Sequence, residues 1–257
     1  MTATTSNSIE SRLVGRRLLQ LANSTGRYHV RLAETEEDIH AAQTLRFLTF
    51  NLEQNHDSAD AFATLRDSDP FDAQCDHLIA EDRENGEIVG TYRLQRGLAA
   101  QCGLGYYAAR CFDLSPLEPF HREIIEIGRA CVRRDYRHRN ILALLWQALI
   151  DYATRHNGRY LIGSSSLATT DYSIGARAHS QLLTHLTRPP FRIKPLPDCA
   201  CDLSQPTTDL VRLPSLLLGY LSLGAKVCGP PAIDRHFNQA IIFLTVLDLK
   251  TMNPLKQ

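Results

Sequence analysis

An α/β fold built on one continuous sheet is predicted for this 257-residue chain, on three observations. Runs with strand character alternate with runs of helical spacing along most of the chain. Among them lies a hairpin signal, two apolar runs joined by Arg83-Glu84-Asn85-Gly86. The greasiest stretch, residues 213–226, is shorter than the roughly 18–20 apolar residues that span a bilayer, and Ser and Gly interrupt it.

Taken in order, residues 28–32 alternate like a strand. Residues 35–51 read as a helix. Thr35 caps it, acids crowd its first turn, and Ile39, Ala42, Leu45, Phe47 and Leu48 supply an apolar side. Residues 52–74 are polar, carry Asp67-Ser68-Asp69-Pro70, and read as a loop with a short helix. Residues 77–81 and 86–94 form the hairpin, with Asn85-Gly86 supplying positive φ. Residues 107–112 are a short connector. A third strand covers 124–132, a helix 141–156, and a further strand 159–167 follows the Asn157-Gly158 stop. A helix is expected over 170–186, a long surface connection over 188–212 and a buried helix over 213–223. A short strand at 225–228 and a long apolar strand at 240–247 complete the core.

Residues 1–27 are expected as a helical extension, because Ile9, Leu13, Val14, Leu18 and Leu21 follow helical spacing with arginines between them. The arginines and the short apolar run exclude a signal peptide. Residues 28–257 are expected as one domain. Formal net charge is zero, so the whole molecule is not a polyanion binder, and no nucleic-acid partner is expected. The seven cysteines are odd in number and contain no Cys-x-x-Cys pair, which argues against a disulfide framework and for a reduced compartment. No metal-ligand spacing is present, and no metal is expected.

The chemistry concentrates in residues 126–146. Glu126 and Arg129 lie on the apolar strand, and Arg129, Arg133, Arg134, Arg137 and Arg139 fall within eleven residues. A strand, a basic turn and a helix in that order make an anion site, because the helix N-terminus offers unpaired N–H groups and the positive end of its dipole. A carboxylate on the strand before such a site is a candidate general base. The plainer alternative pairs Glu126 with Arg129 or Arg93 in a partly buried salt bridge. Cys131 has no neighbour that activates it and reads as a small buried residue, and Trp146 reads as core.

With these elements in order, the chain resembles the GNAT acyltransferases, and within them the ornithine lipid N-acyltransferase, or haemolysin-like, branch. The residues that carry the resemblance are Asp76-His77-Leu78, Gly90-Thr91-Tyr92-Arg93-Leu94, Glu126 through Val132, Tyr136-Arg137, Leu145-Trp146, Leu161-Ile162-Gly163 with Ser166-Leu167, Leu213-Pro214, Gly219-Tyr220, Leu223 through Lys226, and Gly229-Pro230. They spread over roughly residues 28–250. More distantly the chain resembles acyl-homoserine-lactone synthases, with Arg46, Asp72, Asp76, Arg93, Glu126 and Arg129 at matching places.

The resemblance implies a mixed central sheet with splayed strands that admit a pantetheine arm, flanked by helices. It implies catalytic roles for Glu126 and Arg129. It places the donor against Cys131, Val132, Arg133, Arg137, His138, Arg139, Asn140 and Ile141, with oxyanion donors from the backbone near Cys131 and Val132. Arg46 and Arg93 are expected to take an amino-acid carboxylate, and Asp72 or Asp76 a side-chain ammonium.

One departure bears on the donor. The usual acetyl-CoA turn is Arg-x-x-Gly-x-Gly/Ala, and here Asn140 and Leu142 fill both small positions. Glycine allows close backbone approach to a pyrophosphate, and larger residues obstruct it. Acyl carrier protein presents a single phosphodiester and an acidic surface suited to the arginines. The expected reaction moves a 3-hydroxy fatty acyl group from acyl carrier protein to the α-amine of ornithine, giving lyso-ornithine lipid, with no bound cofactor. The expected place is the cytoplasm, with a peripheral contact at the inner membrane. The rivals are another acceptor amine (glycine or a homoserine-lactone type), acetyl transfer from acetyl-CoA, and a non-catalytic module that binds acyl carrier protein.

Overall fold

The computed structural model describes residues 26–54, 59–167, 169–204, 210–237 and 239–253. The helical extension expected before residue 28 lies outside them, apart from its last two residues. By contacts the chain divides into two compact units. One holds the chain up to Leu94 together with Arg129–Asn157, and the other holds Gln95–Gly128 and everything from Gly158 onward.

In the first unit, β1 (Tyr28–Leu32), β2 (Asp76–Asp82) and β3 (Glu87–Arg96, to Leu94 in this unit) pair antiparallel in sequence order. The hairpin turn closes with Gly86 N–H and Asn85 N–H donating to the Asp82 carbonyl. Gly86 alone takes positive φ there, at 71°, so the turn uses one left-handed residue rather than the Asn-Gly pair expected. Helix α1 (Glu36–Arg46) starts at Thr35, where Asp38 N–H donates to Thr35 Oγ1 at 3.2 Å and Thr35 N–H to Asp38 Oδ2 at 3.4 Å.

The helix expected to run to residue 51 changes at Arg46. Phe47–Glu53 is π-helical, and this wider turn keeps Phe47, Thr49, Phe50 and Asn51 buried together while leaving Leu48 and Leu52 exposed. Helix α2 (Ala59–Thr64) and a 3₁₀ turn (Pro70–Gln74) occupy the polar segment. Helix α4 (Ile141–Arg155) follows the basic turn and packs on β1 and β2. Gly90 makes room for it: a Cβ there would stand 2.8 Å from Ile141 and 3.0 Å from Leu145. Trp146 is buried and meets Tyr92 edge-on. Asn157, at φ 55°, ends the helix in the left-handed region.

In the second unit, β5 (Ile124–Val132, to Gly128 here) runs parallel to β6 (Tyr160–Ser166). β10 (Ala240–Asp248) runs antiparallel to β6, and β8 (Lys226–Val227) and β9 (Ala232–Asp234) flank β10. This sheet is therefore mixed. The parallel ladder holds three pairs, Ile124 with Tyr160, Ile125 with Leu161 and Glu126 with Ile162, and stops there. The unit also holds helices α3 (Gly97–Cys102), α5 (Tyr172–Gln181) and α6 (Ser215–Ser222), with β4 (Phe112–Asp113) paired to β7 (Lys194–Pro195).

One face buries Phe112, Leu117, Ile162, Ile242 and Leu244, and another cluster holds Leu182, Leu217, Val227 and Phe243. Three expectations need correction. The segment 188–212 is no mere surface connection, because Ile193, Cys199 and Cys201 are buried. Helix α6 is half-buried, with Leu218 49% exposed. The helix expected to reach residue 186 ends at Gln181 and is followed by a 3₁₀ turn, Leu183–His185.

Candidate active site

In the first unit the sequence brings three arginines and three aspartates into one closed circuit. Asp69 and Asp72 are placed by a cap. Phe71 N–H donates to Asp69 Oδ1 at 2.9 Å, Asp69 N–H to Asp72 Oδ2 at 3.4 Å, and Pro70 occupies the first position of the turn. Arg46 arrives from the end of α1 and bridges Asp72 (2.7 Å) and Asp67 (3.0 Å). Its guanidinium also donates to the Asp67 carbonyl. Arg93, on β3, bridges Asp72 (2.8 Å) and Asp69 (2.6 Å). Arg129, on β5, bridges Asp69 (3.1 Å) and Asp67 (3.3 Å) and closes the ring. Charge alternates around it and sums to zero, as a buried cluster requires. Gln43 adds a bond to Asp72 at 2.9 Å.

Burial pushes the Asp72 carboxyl up, but the Arg46 and Arg93 guanidinium groups more than reverse this and hold it well below the usual carboxylate range. Asp69 is lowered in the same way, burial being outweighed by Arg93 and Arg129. Burial lowers Arg93, and Asp69 and Asp72 outweigh it to raise the guanidinium above its ordinary value. His77 is 2% exposed and sits beside the ring, with Nε2 3.2 Å from the Asp72 carbonyl. A carbonyl only accepts, so Nε2 carries the proton of a neutral imidazole. Burial lowers the affinity of His77 for a second proton.

Arg46, Asp72, Arg93 and Arg129 thus stand together. Asp76 stands apart: the Tyr152 hydroxyl donates to its carboxylate. Asp67, Asp69 and Gln43 were missed. The Asp-Ser-Asp-Pro signal that would have found the two aspartates read as loop composition alone.

The basic turn divides. Arg129 belongs to the ring. Arg133 pairs with Glu87 (2.8 Å) and Asp135 (3.0 Å), and Arg137 with Glu53 (2.7 Å). Arg134, His138 and Arg139 are exposed, and Arg139 lies over the Tyr136 ring at 5.8 Å. Cys131 is buried and its thiol is pushed up to about 12 by that burial, which leaves it a poor nucleophile. Val132 is half-buried and Ile141 fully buried. Asn140 precedes α4 without a side-chain cap, and no acid lies in the helix's own first turn to meet the positive end of its dipole.

In the second unit, Glu126 is 7% exposed. Its Oε2 accepts from Tyr107 N–H at 2.7 Å and its Oε1 from Ala108 N–H at 2.8 Å, the first two residues of a 3₁₀ turn, Tyr107–Arg110. The Tyr107 hydroxyl donates to Asp234 at 2.9 Å. Burial, then the Glu126 charge, raises the Tyr106 phenol above its ordinary value. Among the described residues, none bonds the buried hydroxyls of Tyr106, Ser164 and Ser165. Ser164 shares its strand face with Ile162, the residue beside Glu126. Among the described residues no cluster suits a metal ion, and no helix is long and apolar enough to cross a membrane.

A strand bearing a buried carboxylate, then a basic turn and a helix, beside a mixed sheet, is the order of elements expected of the GNAT class of acyltransferases. The acetyltransferase (GNAT) domain family matches residues 45–147, which contain the ring, Glu126 and the basic turn. The L-ornithine N(alpha)-acyltransferase of Brucella abortus (strain 2308) is 32% identical over 239 residues, covering 85% of this chain and 84% of the relative. That of Agrobacterium fabrum (strain C58) is 31% identical over 237 residues, covering 86% and 81%. The chain belongs to the L-ornithine N(alpha)-acyltransferase family. Its fold is also that of FeeM, an N-acyl amino acid synthase from uncultured soil microbes, with a TM-score of 0.50 and 14% identity over 88% of this chain and 93% of that one.

Proposed function

We propose that this acyltransferase moves a 3-hydroxy fatty acyl group from acyl carrier protein to the α-amine of ornithine, giving lyso-ornithine lipid. The observation that carries the reading is the similarity, over most of both chains, to relatives named for acylation of that amine.

An amino acid arrives as an ammonium and cannot attack a thioester. Glu126 takes one proton from it, directly or through a water. The neutral amine adds to the thioester carbonyl, and backbone N–H groups near Cys131 and Val132 stabilise the oxyanion. The C–S bond breaks, the thiolate leaves with the second amine proton, and an amide remains.

Arg46 and Arg93 hold the amino-acid carboxylate, with Arg129 completing their ring. Asp76 takes the side-chain ammonium, because Asp72 is already filled by Arg46, Arg93 and Gln43. Asn140 and Leu142 in place of two small residues support a donor with one phosphodiester rather than a pyrophosphate. Arg134 and Arg139 supply exposed charge for an acidic carrier. The product has a charged head and a long chain, so it is discharged to a lipid surface.

The test is a reaction with carrier protein charged with a 3-hydroxy fatty acid and a mixture of amino acids, read by mass. N-acylornithine as the dominant product is expected. Dominant acylation of another amino acid, or activity from acyl-CoA but not from the carrier, contradicts the reading.

A further inference from the structure

Asp234 ends β9 and is 2% exposed. Among the described residues no lysine or arginine pairs with it. Its carboxylate accepts from Tyr107 Oη at 2.9 Å and from the His236 N–H at 3.0 Å. A buried carboxylate without a cation is costly unless it is hydrogen-bonded, so the two donors it meets are held firmly.

What it holds is the residue that grips Glu126. Tyr107 meets Asp234 with its phenol and Glu126 with its own N–H. The Tyr107–Arg110 turn is a single 3₁₀ turn of four residues, a form with poor internal hydrogen-bond geometry. Its backbone has to be fixed from outside if its first two N–H groups are to aim a carboxylate. Arg110 lies over the Tyr107 ring at 5.5 Å and steadies the same side chain.

We infer that Asp234 and Tyr107 are positioning residues for acyl transfer, a two-link tether that sets the direction of the Glu126 carboxylate. This rests on the proposed role of Glu126 as the base. Neither residue touches substrate in this scheme, so binding of ornithine is untouched while the proton-transfer step is sensitive to both.

The experiment measures kcat and KM for ornithine in Tyr107→Phe, Asp234→Ala, their double variant, Glu126→Gln, and Tyr107→Phe within Glu126→Gln. Tyr107→Phe keeps the ring and the N–H, so it decides the matter even if Asp234→Ala does not fold. Each single variant is expected to lose about tenfold in kcat with KM unchanged, short of the ~10²-fold that a full ångström of misplacement costs. The double variant is expected to lose no more than either single one, because both break one tether. Within Glu126→Gln, Tyr107→Phe is expected to change nothing further. A slow Glu126→Gln beside a fully active Tyr107→Phe overturns the tether and leaves the base in place. A further loss from Tyr107→Phe within Glu126→Gln also overturns it. A fully active Glu126→Gln removes the base itself.

Discussion

Arg129 reaches Asp69 at 3.1 Å from a backbone held at φ 49°. This left-handed conformation costs an ordinary residue about 1–2 kcal/mol, and here it turns the side chain into the ion ring. Arg129→Gly and Arg129→Ala both remove the charge, but only glycine relieves the backbone. Urea unfolding is expected to show the glycine variant more stable than the alanine variant by about 1 kcal/mol, with both below the parent. Equal stability of the two would mean the backbone carries no strain at this position.

Asp72 accepts from Arg46, Arg93 and Gln43. Removing one partner of a buried pair costs about 3–5 kcal/mol, so Asp72→Asn is expected to lose that much at neutral pH. The same group sets an acid dependence. Its folded pKa is depressed, so its contribution is present above the unfolded value of about 3.9 and is lost as pH falls through the lower folded value. Asp69 adds in the same direction. His77 acts at higher pH: it is buried neutral with a lowered pKa, so the unfolded chain gains protons first, below about pH 6.5. Denaturation between pH 7 and pH 3 is therefore expected to show falling stability in the parent and a shallower fall in Asp72→Asn. Parallel curves would remove Asp72 from the linkage.

Arg134 and Arg139 are exposed, whereas Arg133 and Arg137 already face acids on this chain. Replacing Arg134 and Arg139 together by alanine is expected to slow association with an acidic carrier protein, and the difference from the parent is expected to vanish in high salt. Stopped-flow association rates across a salt series check this, and a salt-independent loss would point to packing rather than charge.

The elements around the site were legible where pattern and chemistry agreed. Strand β5 matches its expected span, and α4 ends one residue early, because a mostly apolar run around Glu126 and Arg129 and a 3.6-residue period leave little choice. Arg46, Asp72, Arg93 and Arg129 could be grouped by resemblance. Their circuit could not, because Asp67 and Asp69 sit in a polar segment whose fold depends on the arginines they meet. The partners of Glu126 were also hidden. They are backbone N–H groups, and any residue but proline supplies one, so neither Tyr107 nor Ala108 advertises the role. The π-helical segment escaped for a related reason, since Phe47, Thr49 and Asn51 turn inward only when the tertiary core is there to receive them.

The most direct test is the rate of N-acylornithine formation by Glu126→Gln, at saturating charged carrier protein and across a range of ornithine. A fall in kcat of about 10²–10⁴-fold, with carrier binding unchanged, is the predicted result for a general base. A rate equal to that of the parent enzyme would contradict it, and would leave Glu126 as an anchor for the Tyr107–Arg110 turn and nothing more.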